Sequence, residues 1–132
     1  MTWDNVYFKI KRGGMTSTLL WTNPSPGNGS METITINVNL NDYTYLGFMV
    51  KSHGLYSSSG VLQIMPTSSI KTSSSNNNPP ACISSYDTGN GVGVVRTVER
   101  VNNNQIRIVA RGDNRVTMPL KMYGIKGKIN GI

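Results

Sequence analysis

Thr33-Ile34-Thr35-Ile36-Asn37-Val38-Asn39-Leu40 decides the fold class of this chain. Ile34, Ile36, Val38 and Leu40 fall on one side of an extended backbone, and Thr33, Thr35, Asn37 and Asn39 on the other. Successive strand side chains point to opposite faces, so the stretch reads as a strand with one face on a core and one in water. A second alternation sets Val6, Phe8 and Ile10 against Tyr7, Lys9 and Lys11. Further strands are predicted over 16–22, 43–51, 61–65, 81–86, 91–101, 106–111 and 115–126. Turn signals separate them: Gly13-Gly14, Pro24-Ser25-Pro26-Gly27, Asn41-Asp42, Ser57-Ser58-Ser59-Gly60 and Gly112-Asp113-Asn114.

Composition agrees. In 132 residues Val and Ile total 22 and Ala and Leu only 9, while Ser, Thr and Asn supply 41. Branched strand formers and turn residues dominate, which excludes a helical bundle, a coiled coil and a doubly wound parallel sheet. The length suits one domain, 1–132, because two separate cores would each be marginal. Many short strands at this spacing predict an all-β fold: an antiparallel β-sandwich, jelly-roll-like, with no significant helix.

Charged residues make up only 14% of the chain, yet the net charge is +7. A mostly neutral polar surface with a basic excess follows. Cys82 is the single cysteine and His53 the single histidine, so the composition provides neither an internal disulfide nor a zinc site. No cofactor is implied. Trp3-Asp4-Asn5 stands near Met1 with no apolar run after it, unlike a signal peptide. No stretch approaches the roughly 18 apolar residues of a spanning helix, so membrane insertion is not expected.

Thr67 to Pro80, TSSIKTSSSNNNPP, is low in complexity, with Ile70 its one sizeable hydrophobe. It reads as a long exposed Ser/Asn/Pro-rich loop, either a tolerated surface excursion or a segment ordered by a neighbouring subunit or ligand.

Val101-Asn102-Asn103-Asn104-Gln105-Ile106 reads as a hairpin. A two-residue turn at Asn103-Asn104, with the positive φ that asparagine tolerates, pairs Arg100 with Arg107, Val98 with Val109 and Arg96 with Arg111. Four arginines then share one face, with Arg115 close by. Like charges opposite one another cost about 0.2–1 kcal/mol per pair, so the face needs solvent screening or an acidic partner. A phosphate polymer, an anionic sugar or a neighbouring subunit's carboxylates would suit the guanidinium fork. A three-residue turn would instead shift the register by one, pair Glu99 with Arg107 and disperse the cluster. Nucleic acid is disfavoured, because lysines do not cluster and no aromatic pair interleaves with the arginines.

Other groups point away from catalysis. The six acids, Asp4, Glu32, Asp42, Asp87, Glu99 and Asp113, show no spacing that singles out a catalytic pair. His53 has no nucleophile motif around it. Gly89, Gly91 and Gly93 lack the strand-to-helix context of a phosphate loop. Arg111-Gly112-Asp113 reads as a turn rather than an adhesion motif. Trp21 and Tyr45 read as core, whereas Tyr56 and Tyr86, beside serine- and glycine-rich loops, are candidates for stacking on sugars.

Two stretches carry a family likeness. Leu20-Trp21-Thr22-Asn23-Pro24-Ser25-Pro26 is followed by the strand from Thr33 and by Asn41-Asp42-Tyr43-Thr44-Tyr45-Leu46. Met118-Pro119-Leu120-Lys121-Met122-Tyr123-Gly124-Ile125-Lys126 lies near the end. Together they resemble small β-rich structural and receptor-binding domains encoded near tail genes of bacteriophages and prophages. The resemblance spans most of the chain through short, strand-like motifs, and it carries over no catalytic or binding residue. It implies a virion protein assembled in the host cytoplasm, a homo-oligomer, commonly a trimer, in contact with other virion proteins. As a fibre or tail-tip module it would bind host cell-surface polysaccharide or teichoic acid without catalysis. No heptad or collagen-like repeat supplies a shaft, so a capsid decoration or head-fibre protein with a purely structural role is the alternative. A cellular lectin-like or anionic-ligand-binding module is a further one.

Overall fold

The computed structural model describes residues 14–26, 33–51, 60–72, 81–87, 92–110 and 118–127. Among them are eight strands: β1 (Thr16–Thr22), β2 (Ile34–Asn37), β3 (Tyr45–Lys51), β4 (Gly60–Pro66), β5 (Ala81–Asp87), β6 (Val92–Asn102), β7 (Gln105–Ala110) and β8 (Pro119–Lys126). Two 3-10 turns, Leu40–Asp42 and Thr67–Ser69, are the only helical pieces among the described residues. The strand proposed around Val6–Ile10 lies outside them.

The strands form two four-stranded antiparallel sheets, in the orders β1-β8-β3-β4 and β2-β7-β6-β5. The expected sandwich is therefore the fold. Its first and last strands follow a jelly-roll plan: β1 pairs with β8 in one sheet and β2 with β7 in the other. In the middle of the chain the plan gives way to sequential hairpins, β3–β4 in one sheet and β5–β6–β7 in the other. The Leu20–Pro26 stretch and the Met118–Lys126 stretch are neighbours in space, because β1 and β8 pair along their length. Asn23 locks them together, donating from its backbone to Leu120 O (2.8 Å) and from Nδ2 to Pro119 O (2.8 Å). Its Oδ1 accepts from Ser25 N–H and starts the turn at Pro24-Ser25-Pro26.

The core lies between the sheets. Leu46, Phe48 and Val50 of β3 and Met122 of β8 meet Ile36, Ile83, Val98, Ile106 and Ile108 of the opposite sheet. Each such side chain contributes about 1.5–3 kcal/mol when fully buried, more than the roughly 1 kcal/mol spanned by strand propensity. The β2 alternation is realised: Ile36, Val38 and Leu40 are buried, and Thr33, Thr35, Asn37 and Asn39 are exposed. The first sheet departs from simple alternation, because Tyr123 and Ile125, on the outer side of β8, are buried too.

Gly124 makes room for an aromatic ring. A Cβ there would stand 2.5 Å from Tyr43 Cδ1 and Cε1, so the ring lies where another residue's side chain would begin. Lys126 Nζ sits 5.6 Å from the centroid of the same ring. Tyr45 is half-buried on the outer side of its sheet and Trp21 packs against the core edge.

The described part of the polar segment 67–80 keeps Ser68, Lys71 and Thr72 exposed, as its composition suggests, but it is anchored to the sandwich and buries one residue. Thr67 Oγ1 donates to Tyr43 O (2.9 Å), Thr67 N–H to Thr44 O (3.0 Å) and Ser69 Oγ to Pro66 O (2.7 Å). These bonds fold the turn back onto the sandwich and drive Ile70, 1% exposed, into the core. Lys71 O then accepts from Arg100 N–H at 2.8 Å. One well-placed hydrophobe thus ties down a stretch whose average polarity hides it. Residues 73–80 lie outside the described residues.

The sheets are also joined along one side. β4 and β5 are edge strands of different sheets. Gln63 of β4 accepts Ser84 N–H on Oε1 (3.0 Å) and donates Nε2–H to Ser84 O. A side-chain amide stands in for a neighbouring strand.

Candidate functional site

The arginine hairpin forms, but its register is not the one that gathers the arginines. Asn103 and Asn104 make the two-residue turn and Asn102 pairs with Gln105 as expected. Beyond them the ladder slips by one at Val101, so that Arg100 faces Ile106, Glu99 faces Arg107, Val98 faces Ile108 and Arg96 faces Ala110. No non-glycine residue among those described has positive φ, so the turn is not the left-handed kind. A turn with negative φ matches the right-handed twist of its strands poorly, and a bulge adds twist. The extra residue at Val101 reconciles them. Asn102 Oδ1 accepts Asn104 N–H (2.7 Å) inside the turn. The turn carbonyls of Asn104 and Asn103 accept from Val38 N–H (3.0 Å) and Leu40 N–H (2.9 Å), pinning the hairpin end to the chain that follows β2.

This register corrects the expectation of a single arginine face. Arg96 alternates inward with Val98 and is wholly buried, pairing in register with core residue Ile83. Desolvation lowers its pKa from the ordinary guanidinium value; an arginine side chain nevertheless keeps its charge. Arg100 also points to the inner side, at the hairpin end, where Nη1 donates to Asn103 Oδ1 (3.2 Å). Arg107 lies outward, its Nε donating to Glu99 Oε2 at 2.7 Å. The like-charge problem is therefore resolved internally, by a carboxylate placed opposite Arg107 and by separation of the other two. Arg111, Arg115 and Tyr56 lie outside the described residues, as do His53 and the Arg111-Gly112-Asp113 string. Tyr86 belongs to β5, but its side chain is not among those described.

What the fold assembles instead is a polar outer face on the second sheet. Thr35 and Asn37 of β2 face Arg107 and Gln105 of β7, and Gln105 Nε2 donates to Asn37 Oδ1 (3.0 Å). Thr33, Glu99, Arg107 and Val109 line a shallow cleft of about 240 Å³. Glu99 is 4% exposed, while the Arg107 side chain is 48% exposed. The buried carboxylate fixes Nε and leaves the rest of the fork toward solvent. Hydroxyl, amide, guanidinium and carboxylate groups thus share one rigid ladder. The groups are of the kind that can hydrogen-bond polyhydroxy molecules, and Val109 adds an apolar surface.

Sequence reasoning missed this grouping because it depends on the β2–β7 pairing, which joins residues about seventy positions apart. The alternation of β2 does single out Thr33, Thr35 and Asn37 as outward, but it gives no sign of their neighbours. Among the described residues no group of His, Cys, Asp and Glu could hold a metal ion, and Cys82 is an exposed free thiol. No protein-family model matches the chain, and no curated protein or solved structure matches it significantly. No helix among the described residues is long and apolar enough to cross a membrane.

Proposed function

We propose that this chain is a bacteriophage virion component, a non-catalytic fibre or tail-tip sandwich that assembles as a trimer and binds a host-surface glycan. The virion reading is supported by the sequence likeness of the 20–46 and 118–126 stretches. The binding reading rests on one observation: the Glu99–Arg107 pair set among Thr33, Thr35, Asn37 and Gln105 on a rigid outer face. The overall charge of +7 favours acidic polysaccharides and teichoic acid over neutral glycans. The arginines contribute through Arg107 rather than as a set.

The test is binding of the purified chain to an array of bacterial cell-wall polysaccharides and teichoic acids, beside Thr35→Ala and Arg107→Gln variants. Binding that falls at least about tenfold in Arg107→Gln supports the face, since a charge-assisted hydrogen bond is worth about 1.5–3 kcal/mol. Undiminished binding in both variants overturns it. Adsorption to phage capsids with none to glycans favours the decoration or head-fibre alternative. Light scattering tests the trimer, and a clean monomer at micromolar concentration overturns that part.

A further inference from the structure

At the opposite side of the hairpin the chain builds a second, separate polar cleft. Ser68, Ile70, Lys71, Thr72 and Arg100 line a cavity of about 380 Å³ that opens to solvent. Its walls bring together two cations from positions far apart in sequence, with two hydroxyls beside them. Among the described residues no carboxylate lines it. This distinguishes it from the outer face, where Arg107 already has Glu99.

The cleft is preorganised from both sides. Ile70, buried in the core, forms its floor, and the bonds from Thr67 to Tyr43 and Thr44 hold the turn that precedes it. Lys71 O takes the Arg100 backbone N–H at 2.8 Å, so the segment and the strand cannot drift apart without losing that bond. Among the described residues the guanidinium is held by one corner, Nη1 on Asn103 Oδ1 (3.2 Å). Its Nε is buried and has no hydrogen-bond partner among the described residues. A buried donor on a charged group carries a desolvation cost of about 1–3 kcal/mol or more when nothing accepts from it. Closed to the cleft, this Nε takes no part in what the cleft can bind, which is left to the outer Nη groups.

We propose that this cleft binds a phosphate group, free or as an ester. The free Nη–H groups of Arg100 would donate to two phosphate oxygens, Lys71 would supply a second positive charge, and Ser68 and Thr72 would donate from their hydroxyls. Guanidinium geometry matches two oxygens of one tetrahedral anion, which favours phosphate over a halide. The site stands apart from the glycan face and does not depend on it.

The experiment is a titration of the isotopically labelled full chain followed by NMR, at constant ionic strength. The probes are inorganic phosphate, a glycerol phosphodiester and sodium chloride. Phosphate is expected to shift the backbone signals of residues 68–72 and Arg100, and chloride is not. If the diester binds as well as the free ion, the natural source is a phosphate polymer; if only inorganic phosphate binds, it is a small metabolite or free phosphate. Lys71→Met, at an exposed position, is expected to weaken binding about tenfold and to leave the remaining spectrum unchanged. Arg100→Gln is expected to abolish it. Arg107→Gln leaves it intact, which separates failure here from failure of the glycan face. Shifts that chloride reproduces, or affinity unchanged in Lys71→Met and Arg100→Gln, would overturn the proposal.

Discussion

Gln63 and Ser84 pair as though they belonged to adjacent strands of one sheet, although their strands lie at the edges of two. The amide of Gln63 meets both the N–H and the C=O of Ser84. An open edge is a template for association with other chains, and here the glutamine satisfies part of it from within. Gln63→Ala is expected to cost about 0.5–1.5 kcal/mol, the net worth of exposed hydrogen bonds, and to raise aggregation on heating. Gln63→Glu separates donor from acceptor: a protonated carboxyl can still donate to Ser84 O, whereas a carboxylate cannot. The folded state then holds that proton more tightly than the unfolded chain, so stability is highest at acid pH and falls as pH rises through the carboxyl range. Urea unfolding at several pH values checks it; equal effects of both substitutions at all pH values would remove the pairing as the cause.

Burial of Arg96 gives a different pH dependence. The arginine keeps its charge, but a lysine in its place can shed it. Desolvation lowers the folded-state lysine pKa below the unfolded value of about 10.4, in the direction already imposed on Arg96. Between those two pKa values the unfolded chain binds more protons, so stability rises with pH. Arg96→Lys is expected to be less stable than the parent by about 1–3 kcal/mol at neutral pH, with the deficit shrinking toward alkaline pH. Denaturant melts across that range decide it, and a deficit that does not change with pH would rule out desolvation as its origin.

The turn at Asn103-Asn104 yields a prediction opposite to the one its sequence suggests. A left-handed turn would be improved by glycine at the second place. Since φ is negative at both positions, Asn104→Gly only loosens the unfolded chain, and it is expected to cost up to about 1 kcal/mol. Asn102→Ala, which removes the acceptor for Asn104 N–H, is expected to cost a similar amount. Thermal unfolding of the two variants is the measurement, and a gain in stability for Asn104→Gly would contradict the turn geometry.

Tyr43 and Gly124 form a coupled pair. Gly124→Ala places a methyl carbon against the ring and is expected to cost about 1–3 kcal/mol through overpacking. In Tyr43→Leu the same substitution should cost markedly less, giving a coupling energy within the usual 0.5–3 kcal/mol for touching residues. Additive losses in a double-mutant cycle would show that the ring is not what excludes the side chain.

The fold was largely legible because its signals are local. Alternation in residues 33–40 located β2 and its buried side, and β1 runs over the same residues, 16–22, that sequence alone marked out. Three features were not legible, and for related reasons. Ile70 is a single hydrophobe in a polar run, so it has no period to announce its burial. The slip at Val101 has no glycine to mark it and arises from a mismatch of twist between turn and strands. The meeting of Thr35 with Arg107 comes from sheet order, and that of Lys71 with Arg100 from the turn that buries Ile70; hydrophobic pattern encodes neither. The candidate site was accordingly legible in its chemistry, hydroxyl, amide and arginine, and not in its grouping.

The extra residue at Val101 bears on how such a protein can diverge. A strand has two sides, and one inserted or deleted residue near a hairpin end exchanges them for everything beyond it. In this hairpin that exchange decides whether an arginine meets a carboxylate or another arginine. A lineage could therefore redistribute charge between interior and exterior by a single codon gained or lost, with no amino-acid replacement at any arginine.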